Sequence, residues 1–158
     1  MNEISSQGMQ IRRAGQVDAA AIRELTRSAY AKWVPLIGRE PTPMTADYDR
    51  AVREHMIDLL FVDAELTALI ETVGRADHLL IENVAVSPAF QGRGYGGLLL
   101  DHAEHLAACL GLQELRLFTN KQFATNIAIY RRRGYTIDCE EPFRGGFIVH
   151  MSKRLATA

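Results

Sequence analysis

The sequence predicts a protein of the α/β class (α+β by some schemes), with a mixed, mostly antiparallel sheet of about seven strands flanked by four helices. A length of 158 residues corresponds to about one domain, so we expect residues 1–158 to form a single domain. The content of 47% hydrophobic and 23% charged residues is that of a globular chain with one core. Apolar runs with a period of two alternate with helical spacing, which is typical of strands packed against helices.

The first part of the chain is expected to form a strand and then two helices. Residues Gln10 to Ala14 alternate polar and apolar side chains, as in a short strand. Asp18 is the expected cap of the first helix. The apolar stripe of that helix is Ile22, Leu25 and Ala29. Two X-Pro steps within residues 40–43 favour an extended loop, and helical spacing resumes from Ala46 to about Met56.

Three β-rich runs follow: LLFV from Leu59, LTALIETV from Leu66 and HLLIENVAV from His78. Short polar breaks separate the runs, so their lengths fit two antiparallel hairpins. The third run is apolar on both faces, as in a central strand that is covered on both sides. It ends at Ser87-Pro88.

The last part of the chain begins with a helix behind four closely spaced glycines. Its apolar positions are Leu99, Ala103, Leu106 and Leu110. Their helical spacing predicts one amphipathic helix, which Gly111 ends. We then expect a strand at residues 114–120, a short helix at 126–133 and a final hairpin over 135–155.

Charge and apolar content exclude several classes of protein. A net charge of -1 lacks the basic footprint of a nucleic-acid binder. No apolar run approaches the roughly 18 residues of a membrane span. The first ten residues lack the apolar core of a secretory signal, so we expect a cytoplasmic protein without a membrane partner. Cys109 and Cys139 have no metal-ligand spacing, and we expect two reduced, mostly packed thiols and no metal site.

The most informative stretch is the glycine-rich turn QGRGYG that follows the apolar strand. The turn leads directly into a helix, whose first backbone N–H groups have no partners within the helix. Glycine permits close approach of the backbone to a phosphate, and the helix dipole favours negative charge there. The turn therefore predicts an anion site, to which Arg93 would add a cation; a turn that needs glycine for its geometry alone is the alternative.

Two other phosphate-binding motifs do not fit this turn. Gly92, Gly94 and Gly97 also match G-x-G-x-x-G, the dinucleotide-binding pattern. That pattern requires an acidic residue at the end of the next strand, where this chain has Thr119 and Asn120. A nucleotide triphosphate loop requires Lys-Ser or Lys-Thr after the glycines, and neither pair follows.

The turn resembles a motif of the GNAT superfamily of acyl-CoA-dependent N-acyltransferases. The residues Gln91-Gly92-Arg93-Gly94-Tyr95-Gly96 match its Q/R-x-x-G-x-G/A loop. Further residues resemble the helix that follows in that family: Asn126, Ala128, Tyr130, Gly134 and Tyr135. The usual Leu is Ile129 here and the usual Phe is Tyr135, both conservative departures. The segment around residue 45 is similar to one uncharacterised bacterial subgroup.

This resemblance implies an N-acetyltransferase that moves an acetyl group from acetyl-CoA to a primary amine of a small molecule or protein. The acceptor would attack directly in a ternary complex, without a metal, in a possible homodimer. The family places the pantetheine arm along residues that match Val84, Ala85 and Val86. The pyrophosphate would meet the amides of Gly92 to Gly97, flanked by Gln91, and Asn126 would hold the pantetheine end. The alternative is a non-catalytic acyl-CoA-binding sensor or regulatory module.

Two residues are the candidate catalysts. Tyr130 matches the tyrosine that many members place beside the sulfur as a general acid, and a core tyrosine is the alternative. Glu82 is the candidate base, since strand alternation puts it on an apolar face with Leu80 and Val84. Burial there would raise the pKa of a carboxyl group. A cross-sheet ion pair is the alternative reading of Glu82.

Other polar residues have simpler interpretations. His102 and His105 are expected on a solvated helix face, and the run Arg131 to Arg133 is expected in solvent unless one arginine reaches a CoA phosphate. Three aromatic residues lie on the acceptor side of the resembled fold or form a wall of the core: Tyr30, Trp33 and Tyr48. Asp47 and Asp49 would be available there to an ammonium group.

Overall fold

The computed structural model describes residues 8–156, which contain a seven-stranded sheet. The strands are β1 (Met9–Arg13), β2 (Met56–Val62), β3 (Glu65–Gly74), β4 (Leu79–Val86), β5 (Glu114–Asn120), β6 (Thr136–Phe143) and β7 (Gly146–Arg154). Their order is β1-β2-β3-β4-β5-β7-β6. Only β4 and β5 are parallel; the other neighbours in the described sheet are antiparallel. The predicted mixed, mostly antiparallel sheet of seven strands is confirmed.

The described chain also contains six α-helices. They are α1 (Ala19–Tyr30), α2 (Val34–Ile37), α3 (Thr42–Thr45), α4 (Tyr48–Glu54), α5 (Tyr95–Cys109) and α6 (Ala124–Arg132). The four longer helices correspond to the four that the sequence predicts. The single turns α2 and α3 fall in the predicted loop, and each has a proline in its first turn, where the missing N–H is not needed.

Aspartates precede two of the helices, and they use their side chains differently. The carboxylate of Asp47 accepts a hydrogen bond from the Arg50 amide at 3.1 Å, so α4 begins after Asp47 rather than at Ala46. Asp18 does not cap α1 with its side chain. It accepts instead from the Gly15 amide at 2.8 Å and closes a short 3₁₀ turn over Gln16–Asp18.

The helices cover both faces of the sheet. On one face α5 packs against the centre of the sheet through Leu99, Leu100, Ala103 and Ala107. On the other face α1 and α4 pack through Ile22, Leu25, Ala29, Tyr48 and Ala51. Burial of each large apolar side chain stabilises the fold by about 1.5–3 kcal/mol. The helices on both faces therefore hold the sheet firmly in place.

Two irregularities of β4 shape the centre of the molecule. The register with β3 slips by one residue, since Glu71 pairs with Asn83 and Thr72 pairs with Ile81, which leaves Glu82 as a β-bulge. In addition, β4 pairs with β5 only over Leu79–Ile81. The two parallel strands therefore part at their carboxyl ends.

Two further observations concern the expected location and the thiols. Within residues 8–156, the structure has no helix of the length and apolarity that a bilayer crossing requires. Cys109 and Cys139 are free thiols as expected, but both are exposed rather than packed.

Candidate functional site

The parted strands open a cleft in the middle of the sheet. Beyond Ile81, β4 keeps its pairing with β3, and beyond Leu117, β5 keeps its pairing with β7. Each strand thus has one edge that no other described strand covers. The carbonyl oxygen of Val84 lies 3.3 Å from the Tyr30 hydroxyl, and that of Val86 accepts a hydrogen bond of 2.9 Å from Gln91 Nε2.

The glycine-rich turn at the end of β4 needs glycine at two positions. Gly92 and Gly94 have φ values of +80° and +88°, in the left-handed region that side chains disfavour. Gly94 precedes α5, and Leu98 donates the first intrahelical bond back to it at 3.0 Å. No described side chain caps this end of the helix. The amides of residues 95–97 are therefore available to a ligand, as at an anion site.

A cavity of about 420 Å³ lies beneath the turn, between α1, β4, α5 and α6. Ten of the predicted cofactor and catalytic residues line it: Val84, Val86, Gln91, Gly92, Gly94, Tyr95, Gly96, Gly97, Asn126 and Tyr130. Three predicted residues do not. Ala85 is buried on the opposite face of β4, Arg93 lies with its guanidinium 5.3 Å from the centre of the Phe90 ring, and Glu82 lies in a second cavity.

The charged residues that line this first cavity are all basic: Lys32, Arg132 and Arg133. Arg133 was expected in solvent, but its guanidinium covers Gly97 and forms an ion pair of 2.5 Å with Asp101. A side chain at position 97 would collide with this guanidinium. With Arg133 paired to Asp101, Lys32 and Arg132 give the cavity the positive charge that suits a phosphorylated ligand.

Tyr130 lies on α6 at the inner end of the first cavity. Its ring meets Tyr135 edge-on, with the ring centres 6.0 Å apart. Burial raises the pKa of Tyr130 to about 12, so the phenol stays protonated at neutral pH. Within residues 8–156 the Tyr130 hydroxyl forms no hydrogen bond, which leaves its proton free for a ligand.

A buried polar network that the sequence did not predict supports the bulged strand. Asn83 accepts a hydrogen bond of 2.8 Å from the Tyr30 hydroxyl, and its amide nitrogen lies 3.3 Å from Tyr48 and 3.4 Å from Thr26. Burial raises the pKa of Tyr30 well above its usual value, and the neighbouring Tyr130 acts in the same direction. Tyr48 is a fully buried core residue, whereas Tyr30 also lines the first cavity.

The bulge corrects the expected position of Glu82. Before it, Leu79 and Ile81 face α5; after it, Val84 and Val86 face α5 instead. The extra residue therefore places Leu80 and Val84 on opposite faces, and Glu82 does not share one apolar face with both. Glu82 is only partly buried.

The second cavity, of about 340 Å³, contains Glu82 together with other ionisable residues on the α4 side of the sheet. Among them is Glu71, which is 4% exposed and bonds His55 Nδ1 at 2.6 Å. Burial raises the pKa of Glu71, although the hydrogen bond and charge of His55 oppose the shift. The sequence did not identify Glu71 as a site residue, because it occurs there as an ordinary polar position of a strand. No group of three metal-ligating side chains occurs in the described chain.

Comparisons with known proteins agree on one family. A sequence model described as "Acetyltransferase (GNAT) family" matches residues 20–135. The fold is similar to that of an N-acetyltransferase, PaiA, from Thermoplasma acidophilum in complex with coenzyme A, with a TM-score of 0.79 at 19% identity over 92% of this chain and 98% of that one.

Two other solved structures are similar. The ribosomal-protein-S18-alanine N-acetyltransferase of Escherichia coli has a TM-score of 0.77 at 20% identity, over 95% of this chain and 96% of that one. An IAA acetyltransferase of Bacillus cereus has a TM-score of 0.73 at 19% identity, over 93% of this chain and 99% of that one. At these identities the likeness concerns the fold.

Proposed function

Since the chain belongs to the Acetyltransferase (GNAT) family, we propose that residues 1–158 act as one domain that transfers an acetyl group from acetyl-CoA to a primary amine. The acceptor, a small molecule or a protein, attacks directly in a ternary complex. One observation carries the proposal: a cavity lined by basic residues and a second cavity that contains Glu82 are both lined by β4, close to where that strand parts from β5. These are the environments that a phosphorylated donor and an ammonium acceptor need.

The residues of the first cavity fit acetyl-CoA. The uncovered edge of β4 at Val84 and Val86 suits an extended amide chain that adds to the sheet as a strand does. The amides of residues 95–97 and the cations Arg132 and Arg133 suit its phosphates. The Gln91 side chain donates to the Val86 carbonyl and thereby holds the turn in place beside the cavity.

Acetyl-CoA supplies a thioester, whose acetyl carbon forms the new C–N bond as its C–S bond breaks. Tyr130 donates its proton to the departing sulfur, since its hydroxyl has no other acceptor within residues 8–156 and burial keeps it protonated at neutral pH. The amine must lose a proton in the same reaction. Glu82, beside the parted strands and in the second cavity, accepts that proton directly or through water.

The test is acetyl transfer itself. The protein is incubated with acetyl-CoA and a panel of amines, and release of the free thiol and the mass of the acetylated product are measured. We expect thiol release that depends on the amine and saturates with it. If the protein binds CoA but yields no free thiol with any amine, it would instead be the non-catalytic sensor.

A further inference from the structure

We propose that the second cavity binds an acceptor amine that carries another cationic group, such as a diamine. This inference rests on the acetyl transfer proposed above and specifies its substrate class.

The cavity is long enough for two charged groups. It is lined by Phe118 of β5, Glu82 of β4, Glu71 of β3 and His55, which immediately precedes β2. Paired strands are about 4.8 Å apart, and β4 and β5 have already parted at Phe118, so the lining from Phe118 to His55 extends over at least roughly 14 Å. The parted strands adjoin its Glu82 side. A reacting amine at Glu82 therefore leaves the Glu71 side for a distal group.

Two of the four carboxylates in the cavity are already used by the protein. Asp47 accepts from the Arg50 amide at 3.1 Å, and Glu54 forms an ion pair of 2.9 Å with the Arg50 side chain. Arg50 is thereby neutralised. Glu71 and Glu82 remain to face the cavity, and Glu82 has no hydrogen bond or ion pair to any residue between 8 and 156.

Glu71 has a carboxylate oxygen that no described residue occupies. A carboxylate has about four acceptor sites, so a single partner leaves room for a further donor. Glu71 is 4% exposed, yet His55 is its single hydrogen-bond partner in the described chain, through Oε2. An ammonium group in the cavity would donate to this free oxygen and compensate the negative charge of the carboxylates.

The experiment compares cadaverine, a straight-chain diamine, with hexylamine, a monoamine that has the same number of heavy atoms. We expect kcat/KM to be at least about tenfold higher for cadaverine, a difference of about 1.4 kcal/mol in transition-state binding. Glu71→Gln should remove most of this preference by raising KM for cadaverine, while hexylamine is little affected. Glu24→Gln is the matched control, because Glu24 is an exposed carboxylate of α1 that does not line the cavity.

Equal kcat/KM values for the two amines with the wild-type protein would overturn the inference, and so would an equal loss for both in Glu71→Gln. The comparison on the wild-type protein does not depend on a variant that folds. If neither amine is acetylated, calorimetric titration of the CoA complex with each amine decides the question. Saturable binding of cadaverine alone would support the cation site although the proposed reaction fails, whereas absence of binding would reject the site.

Discussion

Asp58 on β2 is held by His102 of α5, whose Nε2 lies 2.9 Å from Oδ2. Arg13 of β1 approaches the other oxygen of Asp58 at 2.5 Å. His102 was expected on a solvated helix face, but it connects the helix to the sheet. Burial alone would raise the pKa of Asp58; the hydrogen bonds from His102 and Arg13 outweigh it and lower the pKa below 3.8.

The first prediction concerns acid stability. The pKa of Asp58 is lower in the folded protein than its unfolded value of 3.8. The ionised carboxylate therefore stabilises the fold at pH values above 3.8, and this stabilisation is lost as the pH falls through the pKa of the folded protein. Asp58→Asn should lower the free energy of unfolding at neutral pH by about 1–2 kcal/mol, since Arg13 is half exposed and screened. The difference from wild type should shrink on acidification. Urea unfolding across this pH range measures it, and a difference that is independent of pH would contradict it.

The second prediction concerns Tyr130. Tyr130→Phe should keep CoA affinity and lower turnover about 10²-fold or more, because the ring still packs and only the proton is lost. The matched control is Tyr135→Phe, which removes a buried hydroxyl outside the first cavity that has no partner in the described chain. That variant should retain full turnover. Steady-state rates and calorimetric titration with CoA separate the two effects, and an unchanged rate in Tyr130→Phe would show that the sulfur leaves without this acid.

The third prediction concerns the glycine-rich turn. At Gly94 a Cβ atom has open space, but the φ of +88° is strained for valine by about 1–3 kcal/mol. We expect Gly94→Val to lower CoA affinity at least tenfold, because the turn that presents the α5 amides is distorted. Gly74→Val is the control, since Gly74 also has open space and its φ is not positive. Calorimetry gives both affinities; a folded Gly94→Val with normal affinity would remove the turn from the phosphate site.

The fourth prediction concerns Glu82. Glu82→Gln should reduce turnover about 10²-fold at neutral pH and recover part of it at high pH, where more of the amine is neutral and needs no base. A structural role would lower the melting temperature and leave the pH dependence of the rate unchanged. Glu65→Gln, at an exposed carboxylate of β3, should match the wild type in both measurements. Curves of rate against pH and melting temperatures for the three proteins distinguish the roles.

The regular part of the fold was predictable because it depends on local periodicity. Alternation in the strands and helical spacing from Leu99 to Ala107 both reflect which side chains face the core. The glycines at 92 and 94 were recognisable because left-handed backbone at a strand-to-helix turn requires them. These features predicted the turn that lines the first cavity.

The second cavity was not predictable because it depends on pairing between distant residues. One extra residue in β4 reverses the faces of all later side chains, and nothing in the apolar pattern of that strand marks Glu82 as the bulge. The contact between Glu71 and His55 joins a strand to the end of a helix sixteen positions away. The contact between His102 and Asp58 was not predictable for the same reason, since the two residues are 44 positions apart.

The separation of β4 from β5 also means that the proposed donor, added along the open edge of β4, would extend the sheet. Amide hydrogens along residues 82–86 that point into the cleft exchange with solvent in the free protein, and a ligand that adds there as a strand protects them. Chains can also aggregate through uncovered strand edges, so a ligand that covers the edge of β4 would reduce aggregation. By mass action, binding of the proposed donor would then stabilise the folded protein and slow its proteolysis.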